Sequence, residues 1–154
     1  MELYNLLKPE AVKVISTVSS KKRLFHDIAD LAEGTLGLDS QTTVTALLDR
    51  ENLGPTGVGH GVALPHARLV DVESVQGVFL LLEKPVDFNA VDHLPVDVVF
   101  TLFAPENAGV EHLKALALVS RRLRDKTFCD KLRANPDATT LYEILTEGRS
   151  EAAA

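Results

Sequence analysis

The sequence predicts an α/β fold in a single domain, with a mixed β-sheet flanked by helices on both sides. Three observations lead there. "VQGVFLLLEKPV" (75–86) and "PVDVVFTLFAP" (95–105) are apolar, β-branched runs of strand length bounded by prolines. Their near-continuous hydrophobicity suits strands covered on both faces rather than strands with one face in water. Helical patterns lie before and after them, and the order helix, helix, strands, helices fits helical layers around a sheet.

Taken in order, "AVKVIS" (11–16) alternates apolar and polar residues, as a half-buried strand does. Ser19 or Ser20 is placed to cap a helix through "KKRLFHDIADLAEGTLG", with Leu24, Ile28, Leu31 and Leu36 at helical spacing and Gly37 as its stop. Asp39 or Ser40 caps a second helix, "QTTVTALLDREN", which Gly54-Pro55 ends. "GVALPH" reads as a short strand broken by Pro65. After the two long strands, Asn107 is expected to cap "AGVEHLKALALVSRRL", with Leu113, Leu116 and Leu123 facing the sheet. Two short helices follow, "KTFCDKLRAN" and "TTLYEILTEG". Residues 1–147 are expected to form the domain, and "GRSEAAA" (148–154) has little to bury and reads as a disordered tail.

Composition excludes several classes of function. The 154 residues are 45% hydrophobic and 25% charged, ordinary values for a soluble globular domain. Aromatic content is 5% with no Trp, which speaks against a stacking platform for nucleic acid. Sixteen basic residues against 22 acidic ones give a net charge of −6, which disfavours phosphate-backbone binding. Cys129 is the only cysteine, so neither an intrachain disulfide nor a cysteine zinc cluster is available. The N-terminus lacks a basic, then apolar leader pattern, and no run approaches the roughly 20 apolar residues of a spanning helix. A cytoplasmic protein with no membrane insertion is expected.

The stretch "ENLGPTGVGHGVALPHAR" (51–68) places Gly57, Gly59 and Gly61 at alternate positions and ends in Pro65-His66. It fails the dinucleotide fingerprint, because Val62 stands where the third glycine belongs and a helix precedes the loop. No Gly-Lys-Ser/Thr triplet makes a Walker loop, and no G-x-S-x-G makes a hydrolase elbow. One reading is a glycine-rich hairpin with His66 an incidental strand-end residue. The other is chemical. With an ordinary pKa near 6.5, roughly 90% of imidazoles are neutral and nucleophilic at pH 7.5. Pro65 restricts the backbone before His66, and nearby glycines let N–H groups converge on an anion. Thr56 offers a hydroxyl and Arg50 a fixed cation. That set suits accepting a phosphoryl group, a reaction governed by positioning and charge stabilisation.

"DRENLGPTGVGHGVALPHAR" resembles the active-site segment of the enzyme IIA domains of the bacterial phosphotransferase system, fructose/mannitol class. The pattern is an Arg-Glu pair, Gly-x-Thr-Gly-hydrophobic-Gly, then a short apolar run into Pro-His. The similarity runs from residue 3 to residue 147, and "LLKPEAV", "SKKRLFHDIADLA", "HLKALALVSRRLRDKTFCDKLR" and "LYEIL" resemble the nitrogen-regulatory branch in particular. Pro55 departs from the small polar residue of the pattern and should stiffen the loop. The resemblance implies a mixed five-stranded sheet, His66 as the histidine phosphorylated on Nε2, and His112 beside it. It also implies Arg50 as the arginine at the same site, with Thr56, Gly57, Gly59 and Gly61 as a phosphate-binding cradle. The donor it implies is a histidine-containing phosphocarrier protein, and the partners are cytoplasmic regulatory targets, with no cofactor and no nucleic acid. The alternative within the family is a sugar-specific IIA component passing phosphate to a IIB protein.

The other candidates have plainer readings. His60 in the glycine run, His26 on a helix and His93 in a turn read as solvated residues. Cys129 reads as a packing residue. "RRLRDK" (121–126) suits a solvated helix end. His60, His66, His93 and His112 lack the acidic and cysteine partners of a metal site, and none is expected.

Overall fold

The computed structural model describes residues 1–147, so the tail expected over 148–154 lies outside the described residues. Two 3-10 turns, Leu3–Asn5 and Pro9–Ala11, lead into strand β1 (Val12–Ile15). Ser20, not Ser19, caps α1 (Lys21–Leu36), its hydroxyl accepting from the Arg23 amide at 3.1 Å. Gly37 ends that helix at φ 72°, a conformation glycine enters without a Cβ clash. Asp39, not Ser40, caps α2 (Ser40–Leu53) by accepting from the Thr42 amide at 2.8 Å. Then come β2 (Gly57–Gly59), β3 (Val62–Ala63), β4 (His66–Leu69), β5 (Gln76–Val86) and β6 (Val96–Pro105). The chain closes with α3 (Val110–Leu123), α4 (Lys126–Arg133) and α5 (Ala138–Leu145), the last two capped by Asp125 and Asp137.

The sheet is mixed, in the order β1-β5-β6-β3-β2. β1 runs parallel to β5, β5 antiparallel to β6, and β2 antiparallel to β3. Both β3 and β4 run parallel to β6 and share one place beside it: Val62 pairs with Val98, and His66 with Leu102. The five strands implied by the resemblance therefore appear as five positions filled by six segments. Pro65 causes the division. It has no N–H to give to a ladder, although its carbonyl still accepts from the Leu102 amide at 3.0 Å.

Alternation along β5 and β6 divides their apolar side chains between two cores. Phe79, Leu81, Phe100 and Leu102 pack with Leu118, Leu123 and Leu141 on the side of α3–α5. Val78, Leu80, Val99 and Phe103 pack with Phe25, Ile28 and Leu47 on the side of α1 and α2. Both faces of the sheet are dry, as the continuous apolar runs require.

Two expectations for α3 need correction. Its N-cap is Gly109 with no side-chain cap bond, so Asn107 does not cap it. Leu113 is 63% exposed and does not face the sheet, whereas Leu123 is buried and Leu116 packs partly against the core. The inward face is instead His112, Ala115, Leu118 and Val119. A leucine-based reading of the helix missed that its buried face begins with a histidine.

Gly57 is buried in β2, where an added Cβ would sit 2.7 Å from Ala90 Cβ and 3.2 Å from the Phe88 ring. Gly34 lies within α1 with nothing within 4 Å of an added Cβ. Gly57→Ala should lose about 1–3 kcal/mol through overpacking, and Gly34→Ala should gain up to about 1 kcal/mol from helix propensity. Urea midpoints of the two variants should move in opposite directions; movement in the same direction would refute this account.

Candidate functional site

Arg50 lies in the last turn of α2, where a cation complements unpaired carbonyls. Its Nη1 donates to the Gly54 carbonyl at 3.0 Å, and its Nε donates to His66 Nε2 at 3.2 Å. On the other side of the ring, His66 Nδ1 lies 3.0 Å from the Leu64 carbonyl. A carbonyl only accepts, so Nδ1 carries the proton and the Nε2 lone pair accepts from Arg50. The network thus selects one neutral tautomer and turns the nucleophilic nitrogen toward a guanidinium.

His112 is buried at 5% exposure, and its ring centroid is 5.7 Å from that of His66 with the planes tilted by 52°. Its Nδ1 has no hydrogen-bond partner. An orphaned buried nitrogen costs free energy, and such groups gather where a ligand completes them. Both histidines are held below the ordinary 6.5. For His66 the main cause is burial, reinforced by the Arg50 charge and opposed by the Leu64 hydrogen bond and Glu51. For His112 it is again burial, then the His66 and Arg68 charges. Arg50, His66 and His112 are therefore brought together as expected, as a pair of neutral imidazoles beside a fixed cation.

The residues expected to form a phosphate cradle have partners of their own in the structure. The Thr56 amide donates to the Glu51 carboxylate at 2.8 Å, and the Thr56 hydroxyl donates to it as well, so neither is a free donor. Gly57, Gly59 and Gly61 belong to the β2–β3 hairpin. His60 and Gly61 turn it with φ of 57° and 79°, and Gly61 packs so closely that an added Cβ would meet Arg133 and Asp97 within 3 Å. Hairpin geometry and close packing account for the glycines. His60 is exposed, as expected, and its amide donates to Asp92. Among the described residues no three His, Cys, Asp or Glu side chains converge as a metal site.

Two residues of the site escaped the sequence reading of roles. Glu51, with a side chain 7% exposed, also pairs with Lys21 at 3.1 Å and so ties the 54–56 loop to α1. Arg68 leaves the same strand face as His66 two residues on, and its Nη1 donates to the Glu106 and Ala108 carbonyls. It thereby staples the loop that delivers His112. The period-2 alternation of a strand was the signal that would have found it.

Neutral histidines beside an arginine on an α/β scaffold define a class that comparison with known proteins makes specific. Residues 5–148 match the family described as "Phosphoenolpyruvate-dependent sugar phosphotransferase system, EIIA 2", and the chain belongs to it. Within that family, relatives at 40–44% identity are nitrogen regulatory proteins, and a fructose-specific EIIA component of Haloferax volcanii is 30% identical over 148 residues. A nitrogen regulatory protein of Bradyrhizobium diazoefficiens is 44% identical over 145 residues, which is 94% of this chain and 95% of that protein. One from Klebsiella oxytoca is 44% identical over 151 residues, 97% of this chain and 93% of that protein. The crystal structure of nitrogen regulatory protein IIA-Ntr from Neisseria meningitidis superposes with a TM-score of 0.84 at 36% identity, covering 92% of this chain and 97% of that one.

Because His66 and His112 are held below 6.5, the unfolded chain binds more protons than the folded one below that value. Their contribution is complete above about pH 6.5 and is lost as pH falls toward the folded values. The urea midpoint of the wild type should therefore fall on acidification from about pH 7.5 to 5.5. His112→Gln, which cannot titrate there, should show a smaller fall; an equal or larger one would contradict the assignment.

Proposed function

We propose that this protein is a phosphoryl carrier of the nitrogen-related phosphotransferase system. It accepts a phosphoryl group on His66 Nε2 from a phosphohistidine carrier protein, and its phosphorylation state governs which cytoplasmic proteins it binds. The observation that carries this reading is the His66 ring, fixed through Nδ1–H to Leu64 with its lone pair against Arg50. The 44% identity to nitrogen regulatory proteins supports the regulatory branch over sugar uptake.

The step balances as follows. Arg50 Nε releases the lone pair, and His66 Nε2 forms a bond to phosphorus as the donor's N–P bond breaks and its electron pair returns to the donor imidazole. The Nδ1 proton stays on the ring, where the Leu64 carbonyl stabilises the positive charge. Arg50 moves from the nitrogen to a phosphoryl oxygen, and the orphaned His112 Nδ1 gains a partner. Such fixed donors act on charge as it develops, without reorganisation. Exposed Leu53 lies three residues beyond Arg50, and exposed Val110 and Leu113 flank His112. That apolar rim suits a protein-sized donor.

Incubation with phosphoenolpyruvate, enzyme I and the histidine phosphocarrier should add one acid-labile phosphate, and His66→Ala should take up none. His112→Ala and Arg50→Ala should still be labelled, each about a hundredfold more slowly. Full labelling of His66→Ala would refute the acceptor, and wild-type rates in the other two would remove them from the machinery.

A further inference from the structure

A cavity of 430 Å³ opens between the β2–β3 hairpin and the corner where α3 meets α4. That volume lies in the range of small-molecule sites, about 300–1,000 Å³. Val62, Leu64, Leu123 and Cys129 form its apolar wall, while Arg124, Lys126 and Arg133 line it with positive charge, and none of its lining residues is acidic. The cations differ in their commitments. Arg133 binds Asp97 and the His60 carbonyl, and Lys126 binds Asp130. The Arg124 side chain is exposed and has no partner among the described residues. Leu123 stands eleven residues beyond His112 on α3, about 17 Å along the axis at 1.5 Å per residue, so the cavity is separate from the histidine site.

We propose that this cavity binds a small organic acid, an apolar body bearing one carboxylate, and that its occupancy is transmitted to His66. The ligand class follows from complementarity. A neutral hydrocarbon makes no use of the positive charge at the cavity, and a small inorganic anion leaves the apolar wall empty. The route to His66 is Leu64. Its side chain is part of the cavity wall, its amide donates to the Thr56 carbonyl at 2.9 Å, and its carbonyl holds His66 Nδ1. A ligand that moves the Leu64 side chain moves the acceptor that sets the tautomer of His66. The consequence for phosphoryl transfer rests on the reading of His66 as phosphoacceptor; binding itself does not.

The test is a titration of the full unphosphorylated chain with octanoate, followed by amide and imidazole nitrogen NMR, with octanol and acetate as comparisons. Octanoate should shift resonances within 58–64 and 120–133 and bind about tenfold tighter than octanol, since one charge-assisted hydrogen bond separates them. Arg124→Gln should erase that preference and leave octanol binding unchanged. Octanoate shifts that avoid these segments, equal binding of the two probes, or an unaltered preference in Arg124→Gln would each overturn the site. At saturation the His66 Nδ1 resonance should move as well; a filled cavity with that resonance unmoved overturns the coupling. Failure of wild-type labelling by the phosphocarrier would count against the phosphoryl-carrier reading and leave the binding result standing.

Discussion

The bond between His66 Nδ1 and the Leu64 carbonyl is the constraint on which the site depends. β3 and β4 keep one register against β6 across Pro65. The carbonyls of Gly61 and Pro65 accept from Val98 and Leu102 of β6, so alternation turns Leu64 the other way, where its amide donates to the Thr56 carbonyl. The Thr56 amide is held by Glu51, which leaves the Leu64 carbonyl to the imidazole two residues on. A sheet that is dry on both faces holds β4 in place, so the ring inherits the rigidity of the core.

Electrostatics then decides the state of the ring. Burial is the main reason His66 resists protonation, and the Arg50 charge pushes the same way. The same arginine also covers the lone pair that it keeps unprotonated. On the phosphoryl-carrier reading proposed above, the nucleophile is prepared but occupied at rest, and an incoming phosphoryl group would offer Arg50 an anionic oxygen in place of a neutral nitrogen. The guanidinium is charged in both bonds, but only the phosphoryl oxygen brings an opposite charge to it, which favours the exchange once a donor is seated.

Much of this was legible in the sequence because it was written in strong local signals. The strands 75–86 and 95–105, the caps at Ser20 and Asp39, and the Gly37 stop follow from burial and backbone preferences that act within a few residues. His66 and Arg50 stood out within one local stretch, whereas His112 was legible only through the resemblance, because it lies 46 positions after His66 and nothing local brings the two together. What was misread was set by tertiary competition. Leu113 is apolar and at helical spacing, but the buried face of α3 rotates to admit His112, so the leucine faces outward. Thr56 has an amide and a hydroxyl to offer, and in the structure both donate to Glu51, five residues earlier. The glycines marked a backbone need correctly, yet the need is a tight hairpin packed against Ala90, Asp97 and Arg133.

That rigidity bears on how a phosphorylation state could be read by partners. His66 is surrounded by the His112 ring, the Leu64 carbonyl, the Arg50 guanidinium and the charge of Glu51, and Leu53, Val110 and Leu113, near Arg50 and His112 in the chain, are exposed. A phosphoryl group adds close to two negative charges and three acceptor oxygens. Both cores are closed by apolar contacts on the two sides of one sheet, which gives that charge no packed element with an alternative arrangement to push. Its effect must then be spent at the surface. On the proposed reading, a partner that docks with apolar or acidic side chains over His66 would lose affinity, and one that presents Arg or Lys would gain it. Discrimination by charge at the surface would need no refolding, and it would make the exposed residues near the histidines, rather than the helices beneath them, the part of the fold that partners read.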